Sequence, residues 1–149
     1  MRKPRKAFST NTVTNPYVDT DLLIRLLTGD DPVKQADVTR LLERVHRGEV
    51  QLVAPVTVIA DAFYVLRSRL YAFDRAQAAD ALLALVRLSG LLVENRSTIA
   101  RALEILRDHN VDFGDAYIVT SMEHARATEV YSYNHDFDRI AGIRRLEPS

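Results

Sequence analysis

Four short acidic motifs punctuate the chain: Val18-Asp19-Thr20-Asp21, Val58-Ile59-Ala60-Asp61, Asp112-Phe113-Gly114-Asp115 and Tyr133-Asn134-His135-Asp136, with Asp138 close behind. Each falls where an apolar strand hands over to a helix, or inside the helix that follows. Carboxylates gathered in a fold repel one another and lose hydration, so a chain that collects several usually supplies a cation to hold them. Oxygen donors alone suit Mg²⁺ or Mn²⁺, hard ions that keep several waters and act on phosphates. The residue types point to phosphoryl-group chemistry on a metal.

Composition removes other chemistries. The chain has no cysteine, which excludes disulfides, thiolate metal sites and cysteine nucleophiles. His46, His109, His124 and His135 are scattered without metal-ligand spacing, and only His135 falls near the acids. With 20 basic and 20 acidic residues the formal charge is zero, which argues against holding nucleic acid by bulk charge. Lysine occurs only at Lys3, Lys6 and Lys34, so nearly every cation is an arginine. Arginine forks onto phosphates and carboxylates, although a GC-rich genome also favours it. No apolar run is long enough to span a bilayer, and the basic start (Arg2, Lys3, Arg5, Lys6) leads into polar residues. A soluble, cytoplasmic protein with one domain is the expectation for 149 residues that are 47% hydrophobic.

The elements that must position the acids follow from periodicity. Residues 1–15 read as a basic and polar extension, and 16–149 as the domain. Pro16-Tyr17-Val18 is a short strand ending on Asp19, followed by a helix through Leu22, Leu23, Leu26 and Leu27. A second helix runs from Val33 to Val45 and ends near Gly48. Gln51–Ala54 is a strand, with Pro55 opening a helix through Val58, Ile59, Ala62, Phe63 and Leu66. Asp74 caps a helix that ends near Gly90. Leu91–Val93 is the third strand, Ser97 caps a helix through Ile99, Leu103 and Leu106, and Asp112 caps one carrying Ala116, Ile118, Val119 and Met122. Val130–Ser132 is the fourth strand, and Ile143–Leu146 a weak edge strand. Short apolar strands alternating with helices imply a parallel α/β sheet covered on both faces. Ligands bind such sheets at the strands' carboxyl edge, where Asp19, Asn134 and Asp136 fall. Asp61 and Asp115 lie in helices and reach that edge only if a helix face turns toward it.

With these motifs in order, the chain resembles the PIN-domain ribonucleases, specifically the toxins of VapBC-type toxin–antitoxin pairs. Tyr17-Val18-Asp19-Thr20-Asp21-Leu22-Leu23 resembles that family's opening segment, and Ala54-Pro55 through Asp61 its second acidic stretch. Asp112-Phe113-Gly114-Asp115-Ala116 resembles its Asp-x-x-Asp-Ala helix start, and Ser132 through Phe137 its late segment. The resemblance covers Tyr17 to Leu146. It implies a three-layer α/β/α fold with a central parallel sheet of four to five strands. It also implies an endoribonuclease that depends on Mg²⁺ or Mn²⁺, with Asp19, Asp61, Asp115 and Asp136 as catalytic metal ligands. The implied substrate is structured RNA, commonly transfer or ribosomal RNA. The implied partners are a VapB-like antitoxin and a second copy of the chain, forming a homodimer that becomes a heterotetramer or larger with antitoxin. No membrane is involved.

Three positions depart from the family pattern. Asp61 stands where glutamate is usual, Asp21 where asparagine is commoner, and Asn134 where aspartate is frequent, which leaves Asp136 as the fourth acid. Several residues carry two readings. Asp19 and Asp115 also suit helix starts, Asp61 an exposed helix face, and Asp138 a solvated position. Asp112 reads as a cap. Thr20 and Ser132 are placed to bond ligand carboxylates or to satisfy local backbone, and an Asn134 carbonyl can orient water. Tyr64, Tyr71 and Phe73 read as core or dimer-face residues. Two other functions compete. Asp19-Thr20-Asp21 has the Asp-x-Asp form of aspartyl-phosphate phosphatases and receiver domains, but no lysine follows Lys34. A non-catalytic PIN-like binding protein is the other.

Overall fold

The computed structural model describes residues 14–149. The basic tail from Arg2 to Lys6 lies outside the described residues, as does most of the expected extension.

Among the described residues there are six α-helices: α1 (Thr20–Thr28), α2 (Pro32–His46), α3 (Val56–Arg67), α4 (Arg75–Val86), α5 (Arg96–Asp108) and α6 (Phe113–Ala125). Between and after them lie β1 (Leu52–Ala54), β2 (Leu91–Val93), β3 (Glu129–Tyr131), a 3-10 helix (His135–Arg139) and β4 (Arg144–Leu146). Aspartates start four of the helices. Asp19, Asp31, Asp74 and Asp112 accept from backbone N–H groups in the first turns of α1, α2, α4 and α6. These donors have no partner within the helix, so each cap contributes about 1 kcal/mol. At α4 the bond is reciprocal: Gln77 N–H donates to Asp74 at 2.7 Å, and Asp74 N–H donates to Gln77 Oε1 at 3.0 Å.

Two expected boundaries move. Ser97 does not cap α5, which starts two residues earlier than such a cap implies, at Arg96, after a left-handed Asn95 with a φ of 52°. Arg96 determines that start, because its guanidinium donates to the Val86 and Leu88 carbonyls at 2.7 and 3.0 Å and also to Leu91 O. Helix α4 ends at Val86, short of Gly90. Gly90 lies so close to the end of α2 that an added Cβ would meet Val45 Cγ1 at 2.6 Å and Val45 O at 2.8 Å.

The mixed α/β character holds, but the single sheet of four to five strands is not formed among the described residues. Instead β1 pairs with β2 and β3 with β4, each pair parallel and in two-stranded form. The first expected strand shrinks to one bridge between Tyr17 and Val53. Pro16 lacks an N–H and Asp19 already caps α1, so only Val18 N–H, donating to Val53 O at 2.9 Å, and Pro16 O, accepting from Val53 at 2.8 Å, remain for pairing. Strand β3 leaves Glu129 and Tyr131 exposed on either side of a half-buried Val130. A central strand of a parallel sheet is buried on both faces, and β3 is not.

Packing comes mainly from the helices. Helix α5 packs against α4 and α6, and α1 against α2 and α3, with α3 also against α4. Ile59, Phe63 and Leu66 on α3, Leu82 and Leu83 on α4, and Ile99, Leu103 and Leu106 on α5 are almost fully buried. Among the described residues, no helix is long and apolar enough to cross a membrane.

Candidate active site at the amino end of helix α6

Helix α6 begins with two aspartates three positions apart. Asp112 caps it, accepting from Asp115 N–H at 2.8 Å, and Asp115 projects from the first turn, where the helix dipole favours negative charge. The segment after β3 then folds onto Asp115. Asn134 Nδ2 donates to Asp115 Oδ2 at 2.9 Å. Asn134 is held by its own turn: its N–H donates to Ser132 Oγ at 3.0 Å, and its Oδ1 accepts from Asp136 N–H at 3.0 Å. The polar residues of the fourth motif therefore fix one amide against one carboxylate.

The electrostatics are unbalanced. Burial pushes the Asp115 carboxyl up to about 6, and the neighbouring charges of Asp112 and Asp136 add to the rise. Asp136 is bonded by Arg139 Nη1 at 2.9 Å, and the same nitrogen donates to Asn110 O at 2.8 Å. Arg75 lies beside them as a fixed brace. It donates to Leu106 O at 3.1 Å, Val111 O at 2.7 Å and Asn110 Oδ1 at 3.0 Å, with its guanidinium 5.7 Å from the centre of the Phe63 ring. Burial lowers the Arg75 pKa, and the Arg67 charge lowers it further. Across from α6, Tyr64 on α3 is 52% exposed. Burial raises the pKa of its hydroxyl, and the Asp112 charge raises it further.

The other expected residues sit as follows. Asp19 is exposed at the start of α1 and accepts from Asp21 N–H at 3.3 Å, with Thr20 as the first helical residue. Asp61 is exposed midway along α3. Among the described residues neither is hydrogen-bonded to Asp115, and no three His, Asp or Glu side chains are grouped to hold one metal ion. Asp21 pairs with Arg25 at 3.1 Å, which offsets the extra charge beside Asp19. Asp138 is exposed but paired, with His135 at 3.0 Å and Arg145 at 3.2 Å, and belongs to the structure of that turn. The geometry therefore unites Asp112, Asp115, Asn134 and Asp136, with Ser132 behind them.

Whether this set fits a divalent cation is a question of donor chemistry. Its donors are all oxygens, and Asp115 carries like-charge repulsion that a cation relieves. Mg²⁺ is commonly held by one or two carboxylates together with waters and substrate phosphates. Asp115 and Asp136 supply oxygen donors of that kind, and the Asp136 charge is felt at Asp115, whereas no group of three His, Asp or Glu side chains able to hold one ion is present among the described residues.

Residues 17–143 match the family model described as PIN domain. The chain belongs to that family. PIN domains are generally nucleases, so the fold is nuclease-like and hydrolase chemistry is the general class. No curated protein matches the chain. In this PIN domain the sequence reading missed Arg75 and the exposure of Tyr64. Arg75 directly follows the Asp74 cap, and nothing in its spacing marks it as a brace 31 to 36 positions from the carbonyls it binds. The Tyr64 position could be suspected, because it lies three residues beyond Asp61 and so on the same helix face.

Proposed function

We propose that this PIN domain is a Mg²⁺- or Mn²⁺-dependent endoribonuclease of the VapC toxin type. It cuts structured RNA, such as transfer or ribosomal RNA, in the cytoplasm. A small VapB-like antitoxin inhibits it, and the toxin works as a homodimer within a larger antitoxin complex. The observation that carries this reading is the Asn134–Asp115 bond, which brings the fourth motif onto the third and leaves Asp112, Asp115 and Asp136 sharing one charged end of α6. Asp115 and Asp136 would hold the ion, with Asp19 and Asp61 reaching it through waters or substrate. The ion, when bound, supplies a nucleophilic water at neutral pH and offsets charge on the phosphate. Asn134 orients Asp115, while Arg139 and Arg75 anchor the 3-10 helix and the Asn110 loop that flank it.

The experiment is expression with and without an adjacent small open reading frame, followed by mapping of new RNA 5′ ends. New ends that vanish when the small protein is co-expressed are expected, and a cell RNA pattern unchanged by expression contradicts the reading. One observation favours a second reading. No three acids are grouped around one ion among the described residues, which suits a PIN domain that binds RNA or protein without cutting. Tight RNA binding with no cleavage at any metal concentration is its signature.

A further inference from the structure

The turn that carries Asn134 and Asp136 is also held from β4. Arg145 lies opposite Val130 in the β3–β4 register, and its guanidinium reaches both ends of the turn. Nη1 donates to the Ser132 carbonyl at 2.9 Å, while Nε donates to Asp138 Oδ1 at 3.2 Å. Nη2 lies 3.1 Å from His135 Nδ1, between those ends. Nη1 also donates to Glu147 Oε1 at 2.6 Å, which fixes the guanidinium from outside the turn. Ser132 is gripped a second time, since its N–H donates to Leu146 O at 3.0 Å. The Arg145 side chain is 11% exposed, whereas every other ion-paired arginine among the described residues is at least 25% exposed. An arginine held so closely loses rotamer freedom that an ordinary surface ion pair does not offset.

We infer that Arg145 is a positioning residue for the candidate site: by spanning Ser132 to Asp138 it sets the turn from which Asn134 is held on Asp115. The contacts are continuous. Arg145 fixes Ser132, Ser132 Oγ accepts from Asn134 N–H at 3.0 Å, and Asn134 Nδ2 donates to Asp115 Oδ2 at 2.9 Å. Among the described residues Arg145 is bonded to neither Asp115 nor Asp136, so its effect on them passes through the turn. A planar fork suits the task, because one guanidinium bonds a carbonyl and a carboxylate in fixed directions. A lysine ammonium, a single point of charge, does not reproduce that. The consequence for cleavage rests on the ribonuclease reading, whereas the placement of Asn134 does not.

The test uses the full chain and the variants Arg145→Gln, Arg145→Lys, Asp138→Ala and Arg144→Gln. The last removes the same charge from a neighbouring arginine that pairs with Glu129 instead. The first readout is the side-chain amide signal of Asn134 by NMR in isotopically labelled, metal-free protein, assigned by its absence in Asn134→Ala. In the unaltered protein and in Arg144→Gln, one amide proton should lie downfield and exchange slowly, as a proton held on a carboxylate does. Arg145→Gln and Asp138→Ala should move it to the position of a free asparagine amide, and Arg145→Lys should fall between. Asp138 is exposed, so Asp138→Ala decides the matter if Arg145→Gln fails to fold. The second readout is RNA cleavage in Mn²⁺. Arg145→Gln should lower kcat about tenfold with KM unchanged, as misplacement of a reacting group does. Combined with Asn134→Ala, it should be no slower than Asn134→Ala alone, because residues acting through one contact are not additive. An unaltered Asn134 signal in folded Arg145→Gln or in Asp138→Ala overturns the inference, and so does a double variant in which the separate losses multiply. If the unaltered protein cuts no RNA while the amide signal shifts as described, the positioning role stands and the ribonuclease reading fails.

Discussion

The side-chain amide of Asn134 donates to the carboxylate of Asp115 across 2.9 Å, although 19 positions separate them in the chain. An aspartate at 134 could not donate this bond without keeping a proton, and at neutral pH would set a fourth like charge beside Asp112, Asp115 and Asp136. The asparagine that departs from the family pattern thus has a structural use. Asn134→Asp is expected to lower the melting temperature of metal-free protein at pH 7 by roughly 2–4 °C, the shift that about 1 kcal/mol gives a chain of this size. Added Mg²⁺ should recover more of it than in the unaltered protein. An unchanged melting temperature in calorimetry would show that the bond is incidental.

Protonation of Asp115 gives a second expectation. Its pKa is raised from the ordinary 3.8 to about 6 by burial, with Asp112 and Asp136 adding to it. Between those values the folded state keeps a proton that the unfolded state has released. The stabilisation is therefore complete below about pH 4 and is lost as pH rises through 6. Asp115→Asn should flatten the fall in stability across this window. Parallel curves for variant and parent in urea unfolding at pH 4 to 7 would contradict the assignment.

The opposite sign applies at Asp30. Tyr71 donates to Asp30 Oδ2 at 2.7 Å and Arg25 at 2.6 Å, which ties the end of α1 to the loop after α3. The Tyr71 bond, followed by the Arg25 bond, lowers the Asp30 carboxyl to about 2. This contribution is present above about pH 4 and disappears as pH falls through 2. Tyr71→Phe should therefore be less stable than the parent at pH 6, and the difference should close near pH 2. A gap that is the same at both values would place the effect in packing rather than in the hydroxyl.

Close approach at Gly90 supplies a test of the scaffold. A Cβ there would lie 2.6 Å from Val45 Cγ1 and 2.8 Å from Val45 O, and a backbone oxygen does not move aside cheaply. Gly90→Ala is expected to cost about 1–3 kcal/mol of stability, the range for overpacking. Chemical denaturation measures it, and a neutral result would mean that α2 and β2 separate more easily than their contact implies.

Helix positions were legible in the sequence because they depend on local signals: apolar spacing at α3 and α5, and aspartate caps at Asp74 and Asp112. Sheet formation was less legible, since pairing depends on neighbours remote in sequence. Tyr17-Val18 is apolar, yet Pro16 and the capping role of Asp19 leave it a single bridge. At the site, the motifs flagged Asp115, Asn134 and Asp136, which the fold brings together, and Asp19 and Asp61, which no hydrogen bond joins to them among the described residues. The Arg75 brace was invisible, because its partners are backbone carbonyls and any residue type supplies those.

The central claim is metal-dependent RNA cleavage at Asp115, and the most direct measurement follows RNA digestion in Mg²⁺ or Mn²⁺ by the unaltered protein, Asp19→Asn and Asp115→Asn, each with and without EDTA. Cleavage by the unaltered protein, its loss in EDTA and its loss in both folded variants are expected. Undiminished cleavage by Asp115→Asn, or by the unaltered protein in EDTA, would contradict the claim.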